Sequence, residues 1–127
     1  MLKPGLKKSG EELDAALEES QEPQAKQEKK IYCGACGQVL TFRSFETVYE
    51  GNHTHVFQNP AGYTFEIALF KEVPGAVESG TPQKEHTWFA AMLWSYANCG
   101  GCGVHLGWRF RGEDSFWGLI LTHLRYD

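Results

Sequence analysis

The sequence lacks the features that would assign it to a membrane or to a secretory pathway. No run of about eighteen apolar residues occurs along its 127 positions, which excludes a membrane-spanning helix. The first positions contain no apolar core of the kind found in signal peptides, so secretion is not indicated. We therefore expect a cytoplasmic protein, or a nuclear one if the source is eukaryotic, with no membrane partner.

Basic side chains are scarce beyond position 30. Residues 31–127 contain only six Lys and Arg, which are scattered, and the formal net charge of the chain is −4. A protein that binds nucleic-acid phosphates needs clustered Lys and Arg, because release of counterions supplies much of the affinity. The composition predicts that nucleic acid is not a partner.

Aromatic residues are absent from positions 1–30, whereas all seventeen lie between Tyr32 and Tyr126. Positions 1–30 mix six Lys with seven Asp or Glu and several Gln, Pro and Gly, a composition typical of a solvated chain. Only a short helix that begins at a capping box, Ser9 to Glu12, is indicated there. The sequence predicts a disordered or partly helical tail over 1–30 and one folded domain over 31–127, whose thin core a metal cross-link would stabilise.

The folded domain has the alternation of β-strands rather than the periodicity of helices. Asn59 to Gly62 suits a type I turn, which would join a strand that ends near Phe57 to one that begins at Tyr63. Residues 73–84 are rich in Gly, Pro, Ser and Thr and predict a loop. The predicted fold class is mostly β. Two segments place apolar residues at every second position, as in strands with one buried face: Tyr63, Phe65, Ile67 and Leu69 in one, and Val104, Leu106, Trp108 and Phe110 in the other.

Two copies of the motif C-x-x-C-G contain the four cysteines of the chain. The two-residue spacing lets both sulfurs of a pair reach one ion on a tight turn, and the glycines expose amide N–H groups to them. Two such knuckles supply the four ligands of a structural zinc ion and leave no position for water. We predict structural Zn²⁺ bound by Cys33, Cys36, Cys99 and Cys102. Sixty-two residues separate Cys36 from Cys99, so the knuckles would hold two distant strand pairs together.

The sequence supports other assignments of these cysteines to different degrees. Iron suits the same thiolates, and the sequence does not distinguish it from zinc. Two disulfides are disfavoured in a reducing compartment, and a thioredoxin-like pair needs a helix that is missing here. A methionine sulfoxide reductase of the B type would need a further cysteine as nucleophile. The five histidines lack the spacing of a hydrolytic metal site, so no enzyme and no catalytic residue are predicted.

Tryptophan is concentrated around the second knuckle, where Trp88, Trp94 and Trp108 flank Cys99 and Cys102. Three convergent indole rings can form the walls of a slot for a flat or compact ligand. Aromatic residues in small β domains are more often ordinary core. The residues alone leave both interpretations open.

Several motifs occur in a specific order. They are Phe57 to Tyr63, Glu85 to Trp88, Trp94, the second knuckle, His105 to Phe110, and Phe116 to Ile120. Together they resemble the CULT (thalidomide-binding) domain family, which includes the C-terminal domain of cereblon and free-standing bacterial relatives. The resemblance covers about Ile31 to Leu124. It implies a β-tent, in which two antiparallel sheets meet near one structural zinc ion.

The resemblance also implies a function. The chain would be a binding module for cyclic imides: the glutarimide ring of thalidomide-type drugs, uracil-like rings, and peptide C-termini that have cyclised to an imide. Trp88, Trp94 and Trp108 would form the walls of a cage and Phe110 its base. His86 and Trp88 would present backbone groups to the imide, and Asn59 and Pro60 would line the rim.

The sequence departs from cereblon in three respects. It has no counterpart of the Lon-like region and ligase-binding insertion, so a ligase partner is not supported by this chain alone. The segment Phe89 to Leu93 lacks a Pro or Gly turn signal, and the rim residue Ala61 is small. Two other functions fit the same residues: an aromatic-cage reader of methylated lysine, through cation–π attraction, and a zinc-stabilised structural domain.

Overall fold

The computed structural model describes residues 28–127. The helix predicted near Ser9 and most of the predicted tail lie outside the described residues. Between Lys30 and Tyr126 the chain is mostly β, as predicted, and none of the described helices is long and apolar enough to cross a membrane. The strands are β1 (Lys30–Cys33), β2 (Val39–Phe42), β3 (Thr54–Gln58), β4 (Thr64–Phe70), β5 (Ala76–Gln83), β6 (Leu93–Cys99), β7 (His105–Arg111), β8 (Ser115–Ile120) and β9 (Leu124–Tyr126), with 3-10 helices at Arg43–Phe45 and Leu121–His123.

The strands form two antiparallel sheets, as the resemblance implies. A three-stranded sheet has the order β2-β1-β9, and a six-stranded sheet has the order β3-β4-β8-β7-β6-β5. The smaller sheet joins the two ends of the described chain, because Tyr32 in β1 pairs with Arg125 in β9. All of the large sheet therefore lies, in sequence, between strands of the small one.

The hairpin between β3 and β4 forms at the predicted turn. The N–H of Gly62 donates to the carbonyl oxygen of Asn59 at 2.9 Å, and the N–H of Tyr63 donates to the Asn59 side chain at 2.9 Å. Gly62 has a φ of +94°, the left-handed conformation that follows a type I turn in a three- to five-residue hairpin loop. The turn places Asn59 and Pro60 at one end of the large sheet.

The loop predicted for residues 73–84 is wrong, because Ala76–Gln83 is strand β5. Among the strands of residues 28–127, β5 lies at the edge of the large sheet and pairs only with β6. An edge position tolerates Pro82, which cannot donate to a ladder, and Gly80 at φ +82° lies where the pairing register shifts. The turn-forming composition thus marks an irregular edge strand and not a loop.

The large sheet is covered on both faces. One core lies between the two sheets, where Ile31 and Leu40 pack with Phe70 and Leu119. A second core lies on the opposite face, and Phe89, from the connection between β5 and β6, is 1% exposed within it. Burial of a phenylalanine contributes about 1.5–3 kcal/mol, so Phe89 anchors this connection to the sheet.

Strand β4 contributes to both cores. Ala68 and Phe70 belong to the core between the sheets, while Ile67 and Leu69 belong to the second core. The predicted alternation is correct for Thr64 to Glu66, but from Ile67 to Phe70 every residue is buried. A strand with both faces covered loses its alternation.

Strand β7 also departs from its predicted alternation. Trp108 and Phe110 face the second core as expected, whereas Leu106 packs in the core between the sheets. The pairing of β7 with β6 shifts register opposite Ala97 and Asn98 of β6. An irregularity of this kind reverses the faces of the residues at the start of β7, before the shift. His105 therefore lies on the same face as Trp108.

Candidate metal centre and aromatic cavity

Two matching knuckles bring the four cysteines together. The first lies between β1 and β2 in the small sheet, and the second between β6 and β7 in the large sheet, as predicted. Gly37 and Gly103 both have a φ of +81°, which favours glycine. The backbone hydrogen bonds also correspond, each at 2.9 Å: Cys33 N to Gln38 O, Gly37 N to Cys33 O, Cys99 N to Val104 O, and Gly103 N to Cys99 O.

The sulfur positions fit a tetrahedral metal ion. All four Sγ atoms lie within 4.8 Å of one another. The Sγ atoms of Cys33 and Cys102 are 3.9 Å apart, and those of Cys36 and Cys99 are 3.6 Å apart. A tetrahedral zinc ion with Zn–S bonds of about 2.3 Å needs sulfurs about 3.8 Å apart. The quartet can therefore hold a metal ion, and the ion would link the two sheets.

The electrostatics of the quartet favour a cation. Burial raises the pKa of Cys99, but hydrogen bonds from the amides of Cys102 and Gly101 and from neighbouring thiols hold that pKa at about 7. At Cys36 a hydrogen bond with the backbone of Gln38 lowers the pKa, yet burial and the other thiols raise it to about 11. The cluster accommodates one thiolate, and the negative charge of that thiolate disfavours ionisation of a second thiol. A divalent ion at the centre of the cluster would instead favour ionisation of the other thiols.

A cavity of about 430 Å³ lies on the second-core face of the large sheet. Pockets that bind small molecules usually have about 300–1,000 Å³. All seven residues predicted to bind a ligand line it, although their binding role stays a prediction. The lining residues are Asn59, Pro60, Phe65, His86, Trp88, Trp94, Tyr96, His105, Trp108 and Phe110.

The three tryptophans are held at the cavity by different contacts. Trp88 stacks on Phe57 with ring centroids 4.9 Å apart, and it meets Trp108 edge-to-face at 4.6 Å. Trp94 meets Tyr96 edge-to-face at 5.2 Å. Trp108 is 9% exposed in the second core, whereas Trp88 and Trp94 are only partly buried against it. The rings are grouped around one space and are not dispersed.

The connection that contains Trp88 is fixed at both ends. The indole Nε1–H of Trp94 donates to the carbonyl oxygen of Glu85 at 2.7 Å, which holds the start of the connection against β6. The N–H of Met92 donates to the carbonyl oxygen of Phe89 at 3.1 Å and closes a turn before β6. Ala91 adopts a φ of +65° in this turn. The segment shows no Pro or Gly turn signal because an alanine occupies the left-handed position that glycine usually takes.

We expect Ala91→Gly to stabilise the domain by about 0.5 kcal/mol. Replacing a left-handed alanine by glycine relieves about 1–2 kcal/mol of backbone strain in the folded protein. Glycine also makes the unfolded chain more flexible, which lowers the gain in stability by about 0.4–1 kcal/mol. Thermal unfolding of the metal-loaded protein measures the change. Ala90→Gly is the matched control, since Ala90 has no positive φ and should only lose stability. Equal destabilisation by both substitutions would contradict the assignment of strain to Ala91.

His86 is the other left-handed residue at the cavity, with a φ of +59°. Its side chain is 62% exposed. Within residues 28–127, the backbone N–H and C=O groups of His86 and Trp88 have no hydrogen-bond partner. Backbone groups are strong donors and acceptors that are usually paired when buried. Those of His86 and Trp88 are therefore available to a ligand.

Sequence reasoning missed three of the lining residues: Phe65, Tyr96 and His105. The alternation assigned His105 to the opposite face, and the register shift in β7 moves it to the cavity. Its Nε2–H donates to the carbonyl oxygen of Gly107 at 2.9 Å, and burial lowers the pKa of the imidazole. Phe65 and Tyr96 belong to strands whose cavity-facing sides become evident only once β4, β6 and β7 are aligned.

Comparisons with known proteins identify relatives. No model of a known protein family matches the chain. It is 36% identical over 74 residues to protein cereblon of Gallus gallus, covering 54% of this chain and 17% of that protein. Over 110 residues it is 34% identical to protein cereblon of Drosophila grimshawi and 33% identical to that of Drosophila virilis. Each of these two matches covers 79% of this chain, and the chain spans only 16% and 17% of the two relatives.

A solved structure shares the fold. The crystal structure of the Mis18 'Yippee-like' domain superposes with a TM-score of 0.56, covering 80% of this chain and 96% of that one. The sequence identity is 9%, so this likeness concerns the fold alone.

Proposed function

Because this chain carries a cereblon-like CULT domain, we propose that it binds cyclic imides in the cavity lined by Trp88, Trp94 and Trp108. A ligand-binding module fits a domain of this kind. The observation that carries the proposal is that all seven residues assigned through the resemblance line one cavity of about 430 Å³. As part of the same proposal, the ion bound by the four cysteines is Zn²⁺, and its role is structural.

The chemistry of an imide ring suits these walls. The ring has apolar methylene faces and one edge on which an N–H donor lies between two carbonyl acceptors. Indole and phenyl faces of Trp88, Trp108 and Phe110 would cover the methylene groups. The unpaired backbone groups of His86 and Trp88 would pair with the polar edge. Leaving such an edge unpaired in the cavity costs about 1–3 kcal/mol, which favours the imide over a hydrocarbon ring.

The affinity for a bare ring should be modest. Glutarimide has eight heavy atoms, and about −0.7 kcal/mol for each gives roughly −6 kcal/mol, or a Kd of some tens of micromolar. Calorimetry at protein concentrations near this value would therefore detect the interaction. A peptide whose C-terminus has cyclised to an imide presents the same ring, so protein ends are proposed ligands as well as free small molecules.

The proposed role is binding without catalysis. The four cysteines are grouped at the metal site, which leaves no thiol in the cavity among the described residues. Within the part of the chain that the structure describes, His105 bonds to the carbonyl oxygen of Gly107 and His86 lies 3.9 Å from the Glu85 carboxylate, so neither is paired with a nucleophile. A general base without a nucleophile or an activated water supplies little rate acceleration.

The test is calorimetric titration with glutarimide, uracil and a peptide with a C-terminal cyclic imide. We expect glutarimide to bind and N-methylglutarimide to lose at least about tenfold in affinity, because methylation removes the donor from the polar edge. N-Methylglutarimide keeps the ring shape and is therefore the matched control. Equal affinity for both would contradict pairing of the imide edge.

Trimethyl-lysine is the competing ligand in the same experiment. A methyl-lysine reader would hold the ammonium by cation–π attraction, worth about 0.5–2 kcal/mol for a good ring contact, and would ignore the imides. Binding of trimethyl-lysine alone would assign the cavity to that class. Binding of none of these ligands would leave the domain with a structural role.

A further inference from the structure

Strand β3 forms the other edge of the large sheet, and among the strands of residues 28–127 it pairs only with β4. The N–H of Leu69 donates to the carbonyl oxygen of His53 at 3.0 Å, and the N–H of Asn59 donates to that of Tyr63 at 2.8 Å, so odd-numbered positions carry the hydrogen bonds of this ladder. Bonded and non-bonded residues alternate in an antiparallel pair. The three residues between them, which are exposed, direct their backbone N–H and C=O groups outward: Thr54, Val56 and Gln58.

The two edges of the large sheet differ in their protection against a further strand. Strand β5 has Pro82, a register irregularity near Gly80, and in mid-strand the charged Glu78, which is paired with Arg111. Bulges, prolines and charges of this kind hinder strand addition. Strand β3 contains no Gly, Pro, Asp, Glu, Lys or Arg, and its register with β4 is unbroken over all five residues. The edge at β3 is therefore regular, uncharged and able to pair.

The outward groups of β3 are complementary to themselves. They are evenly spaced about Val56, so two copies of β3 can pair antiparallel about a two-fold axis, with Val56 opposite its counterpart and Thr54 opposite Gln58. Each of these opposed pairs exchanges two backbone hydrogen bonds, about six in all, and satisfies every outward group. The Val56 side chain is 62% exposed and would pack against the same side chain of the second copy.

Charge opposes this pairing only weakly. Glu66 lies beside Val56 on β4, and the two copies of Glu66 would be separated by three strand spacings, about 14 Å. The Debye length is about 8 Å at physiological salt, so their repulsion is largely screened. With a formal net charge of −4 on each chain, association should weaken as the salt concentration falls.

We propose that β3 is a dimerisation edge, along which two copies of this chain join their large sheets into one continuous antiparallel sheet. The two-fold axis is perpendicular to the joined sheet, so both aromatic cavities lie on the same side of it. A ligand that presents two imide ends would gain affinity by occupying both cavities. That consequence rests on the proposed function, whereas the dimer itself does not.

The test is analytical ultracentrifugation of the full-length, metal-loaded chain over a range of about 5–500 µM at about 0.15 M salt. We expect a reversible monomer–dimer equilibrium. Val56→Lys places like charges directly opposite each other and should weaken the dimer at least about tenfold. Val77→Lys is the matched control, because Val77 is a 52% exposed valine on β5, and it should leave the dimer unchanged. Thermal unfolding checks that both variants remain folded.

Hydrogen exchange of the wild type locates the interface without a substitution. The outward amides of Thr54, Val56 and Gln58 should exchange freely in dilute protein and become protected where the dimer forms. The amides of His55 and Phe57, which face β4, should be protected at both concentrations and serve as the internal control. A wild type that stays monomeric throughout, a dimer that Val56→Lys leaves unchanged or that both lysine variants weaken equally, or outward amides that stay unprotected in the dimer would overturn the inference.

Discussion

Removal of the metal ion is expected to unfold the domain. The quartet connects a hairpin of the small sheet to a hairpin of the large sheet, and the core between the sheets contains Cys33 and Cys99 themselves. Structural zinc contributes about 10–16 kcal/mol in zinc-finger peptides, whereas small domains have a total stability of about 5–15 kcal/mol. The metal-free chain should therefore have a net stability near zero or below it.

The measurement is circular dichroism and thermal unfolding before and after chelation, with metal analysis of the purified protein. We expect one zinc ion per chain, loss of the cooperative transition after chelation, and recovery when zinc is restored. Cys102→Ser should behave like the chelated protein, although Cys102 itself is exposed. Well under one zinc or iron per chain, or an unchanged melting temperature after chelation, would contradict the structural role.

The stability that the metal ion supplies should decrease as the pH falls. Zinc binds thiolates, so protons compete with the ion, and the pKa of about 11 at Cys36 means that this thiol is protonated at neutral pH when the ion is removed. Stability supplied by the ion is therefore present at neutral and higher pH and is lost as the pH falls. Acid and chelator should act together, and a chelator should unfold the protein faster at pH 6 than at pH 8.

Trp94→Ala should abolish measurable binding of glutarimide. Truncation of a tryptophan at the centre of a binding site costs at least about 2 kcal/mol, roughly 30-fold, which moves a Kd of tens of micromolar toward millimolar. The loss has two sources, because Trp94 lines the cavity and its indole N–H also holds the carbonyl group of Glu85, next to His86. Calorimetry measures the affinity, and thermal unfolding checks that the variant remains folded.

Two further variants separate these sources. Trp94→Phe keeps an aromatic wall but loses the hydrogen bond, so an intermediate affinity is expected. Trp117→Phe changes a tryptophan that is remote from the cavity, in the core between the sheets with Arg109 over its ring at 5.0 Å, and should leave binding unchanged. Undiminished binding by Trp94→Ala would contradict the proposed cage.

Local chemistry was sufficient to predict part of this fold. The C-x-x-C-G knuckles and the turn at Asn59 depend on residues that are close in sequence and restrict the backbone directly. Their glycines occupy left-handed positions at Gly37, Gly62 and Gly103, so motif and structure agree. The pairing of the two knuckles followed from the number of ligands that zinc requires.

The remaining features depend on neighbours in space. Strand β5 contains Gly80 and Pro82, which suggest a loop, but its pairing with β6 determines its conformation. His105 reached the cavity through a register shift that periodicity does not reveal, and Tyr96 joined it because β6 and β7 are adjacent. At Ala91 a left-handed turn formed without glycine, because Phe89 and the strand after it are fixed by packing.

The most direct test of the proposed cage is NMR of the four indole N–H groups in ¹⁵N-labelled, metal-loaded protein, recorded as glutarimide is added. Trp88, Trp94 and Trp108 line the cavity, and Trp117 lies in the core between the sheets. The account predicts that the first three signals shift with one common Kd of tens of micromolar while the Trp117 signal stays in place. Three unmoved cavity signals, or a Trp117 shift as large as theirs, would contradict it.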